Sequence, residues 1–199
     1  MATGKDPLVE GLSRVARDGA VRAGLGLSTL MGQDIRIHIP DVRFGTKADA
    51  CSAVGGEEAE VLGAYLMISG DITGHIMLLF PLKRALECVD IMCGQAPGTT
   101  VEPDEMALSA IGELGNIVGS AFINALGDYS NLILQPSTPT VVNDMAIALV
   151  ETIYAEILSQ GSDVVMIDTV FEDNLGRSAG LLIVAPDAVT LSRFQDLAA

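Results

Sequence analysis

Residues 109–139 have the sequence SAIGELGNIVGSAFINALGDYSNLILQPSTP, which predicts a long amphipathic helix followed by a strand that ends at a proline. Within the helix, Ser109, Glu113 and Asn116 are spaced i, i+4, i+7, so their side chains share one stripe of the helical surface. The apolar residues of this helix cluster on the roughly opposite side: Leu108, Ile111, Gly115, Val118, Phe122 and Leu126. We therefore expect one face to pack in the core while the other presents a carboxylate and a carboxamide to a partner.

The polar stripe continues for two more turns, and we call its five residues the polar ridge: Ser109, Glu113, Asn116, Ser120 and Asn124. Polar residues on an amphipathic helix are ordinarily just solvated. Solvent faces, however, usually carry Lys and Glu pairs at i, i+4, whereas this ridge holds a single charge. Such a surface can be desolvated against another protein at modest cost, which favours a role in contact.

The chain resembles itself when it is shifted by 99 positions. In that register Arg17 falls on Asn116, Pro40 on Pro139, and apolar residues such as Leu27 on apolar ones such as Leu126. This periodicity predicts an internal duplication with pseudo-twofold symmetry. We expect a single domain over residues 1–199, built from one repeat at about 6–99 and a second at about 100–199.

Hydrophobic periodicity and the positions of capping residues, Pro and Gly predict the helices and strands of each repeat. One long helix begins at Pro7 with Asp6 as its N-cap and runs to about Met31, and the second begins at Pro103. The strands are expected at 34–44, 60–69, 73–81, 131–142, 163–171 and 180–186, and the shorter helices at 46–53, 82–94, 144–159 and 187–197. The glycines of the long helices suggest a close approach to the sheet. The order lacks a strict βαβ rhythm, so we predict an α+β fold with two long helices packed on one face of a largely antiparallel sheet.

Composition excludes several classes of function. With 11 Lys and Arg against 26 Asp and Glu, the net charge of −15 argues against nucleic acid and anionic membrane surfaces as partners. No segment has the ~18 uninterrupted apolar residues of a spanning helix, and the start of the chain lacks a signal peptide's apolar core, so a cytoplasmic location is expected. We find no P-loop, dinucleotide fingerprint, nucleophile elbow or metal-ligand spacing, which disfavours an enzyme acting on small molecules and predicts no metal site.

The pattern Ser-x3-Glu-x2-Asn-x22-Pro, which ends at Pro139, resembles the signature of the CheC/CheX/FliY family of phosphatases that dephosphorylate the chemotaxis response regulator CheY. The sequence around it is most similar to the second motif of CheC. Nearly the whole chain takes part in the resemblance, since CheC proteins have about this length and two related halves. The resemblance also implies an α+β fold that presents the two motif helices side by side.

The resemblance implies a role for each motif residue. A carboxamide can accept a hydrogen bond from water and donate one, so Asn116 is the candidate that orients the water attacking an aspartyl phosphate. In this family the matching glutamate pairs with the active-site lysine of the response regulator's receiver domain, which implies the same role for Glu113. Ser109 occupies the family's Ser/Asp position, where its hydroxyl could orient Glu113, and Pro139 is expected to fix the strand beside the helix. No cofactor of its own is expected, because the receiver domain would carry the Mg²⁺.

The first repeat departs from this pattern. The positions that precede Pro40 at the same spacing are Glu10, Arg14 and Arg17. An arginine repels the receiver lysine and cannot accept a hydrogen bond from water, so this degenerate first site is expected to be catalytically inactive. Together with Arg22, the two arginines form a basic cluster with two open explanations: a solvated face with an Arg14–Asp18 ion pair, or a docking surface for an acidic partner.

Two classes of function remain after these steps. The first is a phosphatase that acts on a CheY-type receiver domain. The alternative is a non-catalytic adaptor that binds the deamidase CheD or a response regulator in chemotaxis signalling, as the resemblance to scaffolding relatives implies. A turnover assay with a phosphorylated receiver distinguishes the two.

Overall fold

The computed structural model describes residues 7–158, 164–172 and 177–186 of the 199-residue chain. These residues form five helices: α1 (Pro7–Met31), α2 (Lys47–Ala53), α3 (Leu82–Met92), α4 (Glu105–Ser130) and α5 (Ala146–Leu158). They also form eight strands: β1 (Arg36–His38), β2 (Val42–Gly45), β3 (Glu60–Gly70), β4 (Gly74–Pro81), β5 (Leu134–Pro136), β6 (Thr140–Met145), β7 (Val164–Glu172) and β8 (Arg177–Pro186). Asp6 and the helix predicted at 187–197 lie outside the described residues.

The eight strands form one sheet in which the pairs are antiparallel. Its order is β1-β7-β8-β4-β3-β5, while β2 also pairs with β7, and β6 also pairs with β3. At the centre, Leu78 of β4 lies opposite Leu182 of β8 on one side and Ala64 of β3 on the other. The predicted α+β class with an antiparallel sheet is confirmed.

Helices cover both faces of this sheet. Alternate residues of β4 supply two separate cores, because successive strand side chains point to opposite faces. Leu78 and Phe80 pack in the larger core with α1, α3 and α4, and Met77 and Leu79 pack in a smaller core with α2 and α5. The two long helices therefore lie on one face, as predicted, and the apolar run of β4 is explained by burial on both sides.

Two predicted strands are wrong as continuous elements. The segment 34–44 divides into β1 and β2 around Pro40, and 131–142 divides into β5 and β6 at residues 137–139. The physical reason is that proline has no backbone N–H to donate to a sheet ladder. One backbone–backbone hydrogen bond spans each gap: the Asp168 N–H donates to the Asp41 carbonyl at 3.0 Å, and the Ser137 N–H donates to the Met67 carbonyl at 2.9 Å.

The order of elements repeats along the chain. Residues 7–92 run α-β-β-α-β-β-α, and residues 105–186 run α-β-β-α-β-β. The first two strands of each half pair with a strand of the other half: β1 and β2 pair with β7, and β5 and β6 pair with β3. This arrangement is what an internal duplication would produce; the duplication itself remains a prediction.

Helices α1 and α4 lie side by side and antiparallel. A Cβ added at Gly11 would meet the Tyr129 ring, one at Gly19 would lie 3.0 Å from the Phe122 Cα, and one at Gly26 would lie 3.3 Å from Ile117. The glycines of α1 were expected to allow a close approach to the sheet. At Gly19 this expectation is wrong, because the close neighbour is the backbone of α4.

Helix α4 is the one described helix that is long and apolar enough to cross a membrane by length and composition, with a mean hydropathy of 1.4. Half of that stretch is buried inside the protein. The buried residues pack against the sheet and α1, which accounts for the apolar composition without a bilayer.

Candidate active site

Helix α4 presents the predicted motif to solvent. The helix begins at Glu105, two residues after the predicted Pro103, because the Asp104 carboxylate caps it by accepting from the Ala107 N–H at 2.8 Å. Ser109, Glu113 and Asn116 are exposed, whereas the intervening Leu114 and Gly115 are buried. The cap and the buried face together fix the rotation of the helix, so the polar ridge points outward.

The ridge forms one wall of a groove. A depression of about 440 Å³ is lined on the helix side by Gly112, Glu113 and Asn116, and on the other side by residues 136–139. Pro139 therefore lies across from Asn116, as part of the segment that links β5 to β6. Ser109, one turn earlier, lies outside this lining. The structure thus brings three of the four predicted motif residues together around one cavity.

Glycines of α4 set the depth of this groove. A Cβ at Gly115 would overlap the Cβ of Ala64 in β3, and a Cβ at Gly112 would lie 3.3 Å from the Val141 side chain in β6. No other residue type permits so close an approach at position 115. Because Asn116 directly follows Gly115, the close contact holds the carboxamide beside the segment 136–139.

Two residues of the second wall, Ser137 and Thr138, were missed from the sequence, whereas Pro139 was predicted. Ser137 and Thr138 line the groove, and Ser137 makes three hydrogen bonds that fix the segment. Its N–H donates to the Met67 carbonyl at 2.9 Å, its Oγ accepts from the Met67 N–H at 2.9 Å, and that Oγ lies 3.1 Å from the Thr138 carbonyl. The close pair of prolines at 136 and 139 was the available signal, since it marks a break in the strand.

The polar groups of the motif are unengaged. Within the described part of the chain, the carboxylate of Glu113 and the carboxamide of Asn116 make no hydrogen bond or ion pair, and the Ser109 hydroxyl does not bond to Glu113. An exposed carboxylate with no internal partner can pair with a cation on another molecule. The groove thus presents one carboxylate and one carboxamide that are available for contact with another molecule.

The first-repeat residues Glu10, Arg14, Arg17 and Pro40 are all exposed. A cavity of about 330 Å³ beside α1 is lined by Val21, Leu25 and residues of β1, among others, and does not include these four. This cavity therefore does not bring Arg17 and Pro40 together, in contrast to the groove that Asn116 and Pro139 share.

The predicted Arg14–Asp18 ion pair is wrong. Asp18 instead pairs with Arg22 at 2.7 Å, and the same guanidinium reaches Asp128 at 2.7 Å. Arg22 sits one turn after Asp18, and its long side chain can also bridge to α4, which Arg14 does not reach. These contacts raise the pKa of Arg22, chiefly through the hydrogen bond to Asp128. Arg22 thus links α1 to α4, and the basic cluster is only partly a free surface.

No group of three or more His, Cys, Asp or Glu side chains suited to a metal ion occurs among the described residues. The prediction of no metal site stays a prediction for the whole chain.

Comparison with known proteins identifies the family that the chain resembles. Residues 106–142 match the model of the CheC-like family, a span that contains α4 and the groove segment. The CheY-P phosphatase CheC of Bacillus subtilis (strain 168) is 27% identical over 168 residues, which cover 83% of this chain and 80% of that protein.

Solved structures share the fold. The crystal structure of Thermotoga maritima FliY superposes with a TM-score of 0.79 at 19% identity, covering 98% of both chains. The chemotaxis protein CheX of Desulfovibrio desulfuricans superposes with a TM-score of 0.56 at 18% identity, covering 87% of this chain and 99% of that one. The resemblance to the CheC/CheX/FliY family that the sequence predicted is confirmed.

Proposed function

We propose that this protein is a chemotaxis phosphatase that accelerates hydrolysis of the aspartyl phosphate of a CheY-type response regulator in the cytoplasm. The observation that carries the proposal is the exposure of Glu113 and Asn116 together in one groove, on the helix that matches the CheC-like family. The similarity to a protein described as a CheY-P phosphatase supports it independently.

The proposed mechanism requires little covalent chemistry from this chain. An aspartyl phosphate is a mixed anhydride that already reacts with water, so catalysis can come from positioning. Asn116 would accept a hydrogen bond from the attacking water through its amide oxygen and hold it in line with phosphorus. As the new P–O bond forms, the acyl oxygen–phosphorus bond breaks, leaving the aspartate carboxylate and inorganic phosphate.

Glu113 would anchor the docked complex. Its carboxylate, which has no partner among the described residues, would pair with the lysine of the receiver and so orient Asn116 one turn away. Ser109 would support Glu113 once the partner excludes water, and Pro139 would keep the opposite wall in place. The Mg²⁺ belongs to the acidic pocket of the receiver, and this chain supplies no cofactor. Arg14 and Arg17 make the first repeat inactive in this proposal.

A turnover assay tests the proposal. A receiver phosphorylated with a small phosphodonor is incubated with and without the protein, and loss of phosphate is followed. Wild type should accelerate the loss, and Asn116→Ala should reduce the acceleration roughly 100-fold, the scale on which one positioned group contributes. Asn124→Ala is the matched control, because it removes the same group from the same exposed ridge outside the groove.

Two results would contradict the assignment. If Asn124→Ala and Asn116→Ala behave alike, the groove does not direct the chemistry. Binding of the receiver without faster loss of phosphate would favour the alternative, a non-catalytic adaptor that binds CheD or a response regulator.

A further inference from the structure

One hydroxyl group helps to hold the wall opposite Asn116 against β3. Strand β3 pairs with β6 through Tyr65 and with β5 from Ile68 onward, so Met67 falls in the gap between the two ladders. Ser137 fills this gap. Its backbone N–H donates to the Met67 carbonyl, and its Oγ accepts from the Met67 N–H, both at 2.9 Å. A side chain thus replaces one missing backbone acceptor of the sheet.

The same hydroxyl reaches the groove. Since the Ser137 Oγ accepts from Met67, its own proton is available to the Thr138 carbonyl 3.1 Å away. The orientation of the next peptide, between Thr138 and Pro139, is thereby tied to β3. Thr138 is exposed, lines the groove across from Asn116, and its hydroxyl makes no hydrogen bond within the described residues.

We propose that residues 137–139 form a second contact surface for the receiver domain, with Thr138 touching the receiver and Ser137 acting as the positioning residue that fixes the wall. This inference rests on the proposed phosphatase function. The two walls together define where the receiver sits relative to the carboxamide of Asn116. A wall that moves by a fraction of an ångström lets the receiver bind in several orientations, of which few align water and phosphorus.

The two residues should therefore affect different kinetic parameters. Ser137→Ala leaves the Met67 N–H without its acceptor and frees the Thr138 carbonyl, so kcat should fall about tenfold while KM changes less than about twofold. Ser137→Thr keeps the hydroxyl and should restore most of the kcat. Thr138→Trp narrows the groove at an exposed position and should raise KM at least about tenfold.

The matched control is Ser69→Ala. The Ser69 hydroxyl also donates to a backbone carbonyl of the same sheet edge, that of Gln135 in β5 at 3.2 Å, but it does not line the groove. It should leave both kcat and KM within about twofold of wild type. Amide hydrogen exchange at Met67 supplies a readout apart from turnover: it should accelerate in Ser137→Ala and not in Ser137→Thr.

The outcomes separate this inference from the proposed function. A wild type that does not accelerate phosphate loss refutes the function and the inference together. If the wild type is active, three results overturn the inference alone. These are an unchanged kcat in Ser137→Ala, an equal loss of kcat in Ser69→Ala, and a kcat that Ser137→Thr does not restore. If Ser137→Ala does not fold, an unchanged KM in Thr138→Trp overturns the contact surface, and a raised KM supports it.

Discussion

At Glu113, an exposed carboxylate lies in a groove without an ion pair inside the described part of the chain. If it pairs with a lysine of the receiver, removing the charge should weaken the complex by the value of one charged hydrogen bond. Glu113→Gln should then raise KM about tenfold and flatten its dependence on salt. Steady-state kinetics at two ionic strengths measure both effects.

The control for this prediction is Glu105→Gln, an exposed glutamate in the first turn of the same helix and outside the groove. It changes the net charge of the protein by the same amount. If the two substitutions change KM and its salt dependence equally, Glu113 acts through the overall charge of the protein, which contradicts a direct ion pair with the receiver lysine.

A second residue, Asp90 of α3, is predicted to control stability at low pH. Its carboxylate is fully buried and accepts the backbone N–H groups of Gly98 at 2.7 Å and of Thr99 and Thr100 at 2.9 Å. Burial alone raises the pKa of Asp90, but the hydrogen bonds from Thr100, Gly98 and Thr99 outweigh it and leave the pKa below its usual value. The carboxylate therefore stabilises the loop that joins the two halves of the chain.

The sign of the pH effect follows from this lowered pKa. The unfolded chain, with Asp90 near its ordinary pKa of about 3.9, binds the proton first, so stability is complete above that pH and is lost as pH falls through the folded pKa. Asp90→Asn leaves one N–H without an acceptor and should lower the free energy of unfolding at pH 7 by about 1–3 kcal/mol. In urea denaturation the gap to wild type should be smaller at pH 3 than at pH 6, with the narrowing confined to pH values below about 4. A constant gap, or an equal loss in the exposed Glu58→Gln, would contradict the assignment.

How much of the site was predictable differs from residue to residue. Ser109, Glu113 and Asn116 could be assigned to one exposed face because helix geometry converts their spacing directly into direction. Ser137 could not, because its importance arises only where the chain crosses Met67 of β3, a contact between residues 70 positions apart. The Arg14–Asp18 pair failed for a similar reason: spacing permits a pair, and tertiary contacts decide which arginine is used.

Among the elements, helices were predicted more reliably than edge strands. Helix α1 ends at Met31 as expected, and β3 and β4 lie within a residue of their predicted bounds. The apolar content of the segments at Pro40 and Pro139 predicts single strands, although each proline lacks the backbone N–H that a strand donates to its neighbour. The break after β5 is also what creates the groove, so the missed feature is functional in the proposal.

Helix α4 is held against the sheet by the absence of a side chain at Gly115. Gly115→Ala would place a methyl group on the Cβ of Ala64, and the backbone of α4 must shift to relieve the overlap. We expect a loss of about 1–3 kcal/mol in unfolding free energy, as for overpacked cores, together with a lower kcat because Asn116 moves away from residues 136–139.

Gly26→Ala of α1 is the matched substitution. Its new methyl group meets only the Cγ2 methyl of Ile117, at 3.3 Å, which a small shift of this half-buried side chain relieves, and alanine favours a helix over glycine by up to about 1 kcal/mol. This variant should be as stable as wild type or more so and retain its turnover. Chemical denaturation of both variants checks the expectation, and a destabilised Gly26→Ala with an unaffected Gly115→Ala would reverse it.

For the whole molecule, the two halves share an order of elements but differ in chemistry. The helices α1 and α4 lie side by side, and α4 carries a carboxylate and a carboxamide in a groove whose opposite wall is residues 136–139. The corresponding positions of α1 are arginines. In a protein with a net charge of −15, Arg14 and Arg17 form a local basic patch on α1. Docking of an acidic partner to this patch is therefore the alternative to test.

The asymmetry between the halves predicts that each chain engages one receiver. A receiver carrying beryllofluoride, which mimics the phosphoryl group, should bind with a stoichiometry of one in isothermal titration calorimetry, and Glu113→Ala should weaken that single event. Arg14→Glu combined with Arg17→Glu should leave both stoichiometry and turnover unchanged, because neither residue lines the groove. A stoichiometry of two that this double substitution reduces to one would instead assign α1 as a second docking surface, whose arginines attract the acidic pocket of the receiver without hydrolysing its phosphate.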